Sequence, residues 1–322
     1  MFRIVAAATS IAVTSLSCVP AVAQDFPNKT IRILVGFPAG GPSDVPARII
    51  GEKLRVSLGQ PVVIENKTGA AGMIALNDML GQPRDGHTLL LCSYIDPANT
   101  HLYKKVSYTV DDLAPVTLVS KAYYAFVVPT SSPANSIKDF IAHAKSKPGE
   151  LNYGKVGTGS VTELLPKQLE KDTGIKMTGV TFRGTGPAIQ EIVAGRLDFA
   201  VSPLAIAMPL YAEKKIKIIG MTSPDRLPIA SEVPTLKEQG VNIVNYGWWG
   251  VCAASGTPRP VIEKINRHVQ DAVASEDYKS TMSNTGAIPI STSIDEFGRM
   301  ITETASEAAK MFKDLGIEQI DQ

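Results

Sequence analysis

Two periods of apolar residues alternate along this chain. Runs such as Ile31-Arg32-Ile33-Leu34-Val35 and Thr88-Leu89-Leu90-Leu91-Cys92 have the length and composition of buried strands. Between such runs the apolar positions fall on one face of a helix, as at Val261, Ile262, Ile265, Val269 and Val273. Strands are predicted at 31–36, 61–65, 88–93, 115–119, 124–129, 151–155, 178–182, 197–202, 216–221 and 247–253. Helices are predicted at 44–58, 70–82, 136–146, 161–172, 186–195, 203–213, 235–239, 258–274, 276–284 and 293–314. Boundary signals agree with several of these. Ser43 or Asp44 can cap the first helix, Pro46 fits its first turn, and Ser293 with Glu296 forms a capping box. Strand and helix in regular alternation imply parallel strands with crossover helices, an α/β architecture. No linker-like stretch cuts the chain in two, so two lobes would be joined by more than one crossing. The apolar extended runs 122–129 and 246–254 are the candidate crossings.

The first residues follow a different logic. Arg3 precedes an apolar stretch over 4–19, and Ala21-Val22-Ala23 places small residues where a signal peptidase cuts. Residues 1–23 are therefore expected to be a signal peptide, and the mature chain to be exported. The chain has 322 residues, room for two lobes. Lys plus Arg is 32 against 31 for Asp plus Glu, a balance that argues against a nucleic-acid partner. Cys92 and Cys252 both lie in apolar runs. An oxidising compartment permits a disulfide between them, but spacing cannot place them together, and two buried thiols is the simpler expectation. Asn28 and Asn66 match the N-x-T acceptor pattern.

Candidate chemistry centres on GFPAGGPSD at 36–44, between the first strand and the first helix. It lacks the Lys and Ser/Thr of a P-loop and the G-x-G-x-x-G of a dinucleotide site, so no nucleotide cofactor is expected. What remains is a loop of small residues at a helix N-terminus, which suits a carboxylate. Its expected donors are the N–H groups of Ala39, Gly40, Gly41, Ser43 and Asp44. Gly157-Thr158-Gly159-Ser160 and Arg183-Gly184-Thr185 occupy two further strand-to-helix junctions. Ligands of open α/β sheets gather at such junctions. Ser160 does not sit in G-x-S-x-G, and the four histidines lie in unrelated contexts with no metal spacing. An exported α/β hydrolase is the alternative from another class.

The ordered runs FPNKTIRILVGFPAGGPSD, LGQPVVIENKTGAAG, DGHTLLL, RLPIASEVPTLKEQG and WWGVCAASGTP resemble the solute-binding proteins of tripartite tricarboxylate transporters, the Bug-type receptors. The resemblance spans the mature chain. It implies a two-lobed periplasmic binding protein of type II-like fold, with two chain crossings and a ligand cleft between lobes. Lobe 1 would comprise 24–124 plus 247–322, and lobe 2 would comprise 125–246. It further implies a monomer that captures a small organic acid and delivers it to membrane subunits of a transporter. Docking on a signalling protein is a variant of that role. By position, the carboxylate loop carries Phe37, Ala39, Gly40, Gly41, Ser43 and Asp44. The facing loops carry Gly157, Thr158, Gly159 and Ser160, and Arg183, Gly184 and Thr185, while Ser93, Tyr94 and Ser202 face the cleft. Many members carry an Asp at the position of Ser202 and Tyr-Lys-Gly where Phe182-Arg183-Gly184 stands here. The missing acid and the added arginine suit a dicarboxylate, with an aromatic one such as terephthalate as the narrower expectation. Neither cofactor nor metal is implied. Trp248 or Trp249 is expected to pack at a crossing.

Overall fold

The computed structural model describes residues 26–321. The expected signal peptide therefore lies outside the described residues. The first part of the fold runs β1 (Ile31–Val35), α1 (Asp44–Leu58), β2 (Val62–Asn66), α2 (Met73–Leu80), β3 (Thr88–Ser93), α3 (Ile95–Leu102) and β4 (Leu113–Pro129). Next come α4 (Ile137–Ser146), β5 (Asn152–Lys155), α5 (Val161–Thr173), β6 (Thr178–Thr181), α6 (Thr185–Val193), β7 (Phe199–Pro203), α7 (Leu204–Ala212) and β8 (Ile216–Met221). The chain ends with β9 (Tyr246–Ala254), α8 (Arg259–Ala274), α9 (Glu276–Asn284), β10 (Ala287–Pro289) and α10 (Ile294–Asp314).

The strands follow the order β2-β1-β3-β9-β4-β7-β5-β6, with β8 and β10 also on β4. β1 is parallel to β2 and β3, and β5 is parallel to β6 and β7, as the alternation predicts. β4 belongs to both groups. Its residues as far as Tyr123 pair with β9, and from Tyr124 onward they pair with β7, while β8 joins from Ala125. The return crossing comes just before β9, where Asn245 N–H still bonds Thr222 O of the second group and Tyr246 already pairs with Tyr123. Two lobes thus share two adjacent crossings. Where 115–119 and 124–129 were expected as separate strands, one strand of 17 residues runs through. Register shifts at Pro115/Thr117, Leu118/Ser120 and Phe126/Val127 bend it.

The inner strands of each lobe are covered on both faces, which is why β1, β3 and β7 read as mostly apolar runs. In lobe 1, Ile50, Leu54, Ile265 and Val269 pack on one face, and Met73, Leu76, Trp248 and Phe297 on the other. In lobe 2, Phe140, Leu165 and Phe199 are in one cluster, and Ile189, Leu204 and Ile218 in the other. Cys92 and Cys252 form a disulfide with Cα atoms 5.9 Å apart, so the expectation of two thiols is corrected. Register explains the bond. Cys92 pairs with Gly250 and Leu90 with Cys252, which puts the two cysteines diagonally on one face.

Two helix assignments differ from the sequence reading. The expected helix at 235–239 is a single turn. Thr235 and Glu238 do make both bonds of a capping box, but Gly240 at φ 85° turns the chain away. The helix α3 was not expected, because Pro97 and Asn99 lower its propensity. Pro97 is harmless there, since it falls in the first turn.

Candidate functional site

The loop after β1 is clamped by the first residue of α1. Asp44 is buried, and its Oδ2 accepts from Gly40 N–H at 2.8 Å and from Arg48 Nε at 2.7 Å. Its Oδ1 accepts from Asn66 Nδ2 at 2.8 Å, and the same amide reaches Phe37 O at 3.0 Å. Burial alone would raise the Asp44 pKa, but the bonds from Arg48, Gly40 and Asn66 outweigh it and hold the carboxyl below its ordinary value. This corrects the donor set. The Asp44 carboxylate is spent inside the protein, and so are the N–H groups of Gly40, Gly41 and Asp44. Among the described residues no acceptor engages the N–H groups of Ala39 and Ser43. Asn66 is committed too, so its acceptor pattern describes a structural amide.

The loop after β5, in the other lobe, repeats this construction. Glu163 is buried, and its Oε2 accepts from Gly159 N–H at 2.9 Å, four residues back, as Asp44 accepts from Gly40. Cations complete it, with Lys155 Nζ donating to Oε1 at 2.7 Å and Lys167 Nζ forming an ion pair with it at 3.9 Å. Gly159 sits at φ 73°, the left-handed region that favours glycine. Ser160 Oγ donates to Gly157 O at 2.7 Å and lies 2.9 Å from Thr162 Oγ1. No histidine or carboxylate bonds it among the described residues, so the geometry of an activated serine nucleophile is not there. The N–H groups of Gly157 and Thr158 have no acceptor among the described residues.

Residues on and beside the crossings are tied to the first loop and to one another. Trp249 Nε1 donates to Ser43 Oγ at 2.9 Å, tying the first loop to β9, while buried Trp248 packs on Phe297 and donates to Thr304 Oγ1. Tyr94 N–H bonds Trp248 O, and Tyr94 and Tyr124 place their hydroxyls 3.4 Å apart. Burial pushes both phenols up, so each stays a neutral donor. Tyr124 pairs with Pro203, next to Ser202, which is fully buried with its hydroxyl on Pro203 O. Ser93, Tyr94 and Ser202 are therefore brought to one place at the carboxyl ends of β3 and β7. Arg183, Gly184 and Thr185 stand at the outermost strand, β6, three strands from β4 or about 14 Å at ordinary strand spacing. Arg183 is exposed and has no acidic partner among the described residues.

Asp96 and Tyr124 were missed by the sequence reading. Asp96 is buried in the first turn of α3, and its Oδ2 accepts from Ser93 N–H at 2.6 Å. Burial lifts its pKa to about 7, against the pull of the Ser93 N–H and hydroxyl. The Ser93-x-x-Asp96 spacing was the available signal. An open groove of about 530 Å³ between Pro115, Ile262 and Gly298 lies away from all these loops.

A two-lobed α/β fold with a small-residue strand-to-helix loop in each lobe is the frame of a solute-binding receptor. The TctC family, described as the tripartite tricarboxylate transporter family receptor, matches residues 46–317, and the chain belongs to it. It is 29% identical to protein BugT of Bordetella pertussis over 320 residues, covering 98% of each chain. Among solved structures it is similar to R. palustris Rpa4515 with adipate, at 28% identity and TM-score 0.80, covering 92% of this chain and all of that one. It is likewise similar to MatC of Rhodopseudomonas palustris with bound malate, at 30% identity and TM-score 0.75, covering 89% of this chain and 99% of that one.

Proposed function

We propose that this chain is a periplasmic receptor whose lobes, 24–124 with 247–322 and 125–246, close over a small dicarboxylate. It then passes the acid to the membrane subunits of a tripartite transporter. The observation that carries the reading is the matched pair of loops. Each lobe presents one strand-to-helix turn held by an internal acid, with backbone N–H groups left for an outside anion: Ala39 and Ser43 in one, Gly157 and Thr158 in the other. Two such cradles facing each other suit an acid with two charged ends. The adipate and malate of the two solved relatives are both dicarboxylates.

Within that class the narrower proposal is a flat-ringed acid such as terephthalate. Phe37 and Tyr94 are half-buried aromatics, buried Tyr124 stands behind Tyr94, and Ser202 adds no charge. Arg183, Gly184 and Thr185 would meet the far carboxylate. Thermal unfolding and calorimetry of residues 24–322 against malate, adipate, terephthalate, citrate and amino acids test both levels. A bound dicarboxylate at a hundredfold excess over its Kd should stabilise the chain by about 2.7 kcal/mol. Binding confined to citrate or to amino acids would refute the dicarboxylate reading, and adipate in place of terephthalate would refute the narrower one.

A further inference from the structure

Beside the cleft the two lobes touch through an apolar contact that no ligand role requires. Leu164 of α5, in lobe 2, is buried with Leu102 of α3 and Phe312 of α10, both in lobe 1. At the near end of this contact, a Cβ built on Gly159 would fall 2.7 Å from Leu102 Cδ1, so the anion loop itself lies on α3. At the far end, Lys171 of α5 pairs with Asp314 at the end of α10, at 3.8 Å, and reaches Asp314 O at 3.3 Å. The lobe 1 half is held in shape by the chain after α10: Ile320 N–H bonds Leu102 O, and Ile320 O accepts from Lys104 N–H, both at 3.0 Å.

We infer that Leu164 and Leu102 are positioning residues for the ligand, a latch that holds the closed lobes without touching the bound acid. The physical reason is differential burial. When the lobes part, Leu164 and the faces of Leu102 and Phe312 that it covers return to water, so this burial favours the closed state alone. The exposed ion pair adds little. α3 follows directly on Ser93 and Tyr94, and α5 follows directly on Gly157 to Ser160. The latch therefore fixes the distance between the Ser93–Tyr94 corner of lobe 1 and the Gly157–Ser160 cradle of lobe 2. Affinity for an acid scales with the fraction of chain in the closed state, so a weakened latch lowers affinity by the same factor by which it lowers closure.

The affinity arm of the test rests on the receptor reading, and the scattering arm does not. Leu164→Ala and Leu102→Ala are compared with Leu169→Ala, which lies on the same helix as Leu164 but faces the lobe 2 core. Adipate is the probe for calorimetry, solution scattering without any acid reports lobe separation, and urea unfolding reports stability. The expected result is that Leu164→Ala and Leu102→Ala each bind adipate about tenfold more weakly and scatter as more open particles. Leu164→Met should recover most of both. Leu169→Ala should unfold more easily yet keep wild-type affinity and dimensions. If wild type binds no acid, the receptor reading fails while the scattering of Leu164→Ala still decides the latch. Equal scattering of Leu164→Ala and wild type, or an equal loss of affinity in Leu169→Ala, overturns the inference.

Discussion

Asp96 offers a pH experiment whose sign and size follow from its surroundings. It is 4% exposed, and its carboxyl titrates at about 7 where an ordinary aspartate titrates at 3.8. Below pH 3.8 the folded and unfolded chains both hold the proton, and the residue contributes no pH dependence. Between these values the unfolded chain releases its proton while the folded chain keeps it, so stability falls as pH rises. Above pH 7 both states are ionised, and the full cost stays. A gap of about three pH units corresponds to about 4 kcal/mol at most. Asp96→Asn keeps an acceptor for the Ser93 N–H, now at 2.6 Å, and removes the ionisation. The difference in urea unfolding free energy between Asp96→Asn and wild type should be near zero at pH 4 and grow in favour of the variant up to pH 8. Carboxylates held low, such as Asp44 and Asp85, act in the opposite sense but are shared by both proteins, so the difference isolates Asp96. Parallel pH profiles for the two proteins would refute the reasoning.

Three other outcomes can be checked on the same material. Replacing Cys92 and Cys252 together by alanine opens a covalent loop with a sequence separation of 160, and should cost between about 2 and 5 kcal/mol in urea unfolding, the larger figure being the chain-entropy limit. Asp44→Ala strands Gly40 N–H, Arg48 and Asn66, and should lose about 2 kcal/mol of stability with a weaker hold on any acid, whereas Asp44→Asn recovers part of the stability. Trp249→Phe removes the donor to Ser43 Oγ and should cost about 1 kcal/mol, read by thermal unfolding, with a larger effect on acid affinity if the first loop is part of the cradle.

The alternation of strand and helix was legible because the inner strands β1, β3 and β7 are covered on both faces and read as mostly apolar runs. The small-residue turns were legible for a similar reason, since only such residues suit a tight turn between a strand and a helix. What stayed hidden depended on partners far along the chain. Asp44 reads as a helix cap and a ligand-loop donor until Asn66, 22 residues on, is seen to hold its carboxylate inside the protein. Tyr124 reads as one aromatic in a strand until Tyr94 meets it across 30 residues. The disulfide depends on the antiparallel register of β3 and β9, which local pattern does not specify. The expected break between 119 and 124 spans polar Ser120 and Lys121, which lie within one continuous strand just after a register shift.

The place of β9 bears on the order in which this chain can assemble. Lobe 2 comes from one continuous stretch, so its contacts are comparatively local. Lobe 1 needs β9 between β3 and β4 at the centre of its sheet, and β9 begins only at Tyr246. Until that segment is available, β3 and β4 have no partner between them in lobe 1, and their apolar faces lack half of the core. A chain emerging from its N-terminus therefore keeps its first hundred residues waiting for the last quarter, while the middle can fold at once. The lobe whose residues begin the chain is the lobe that finishes last.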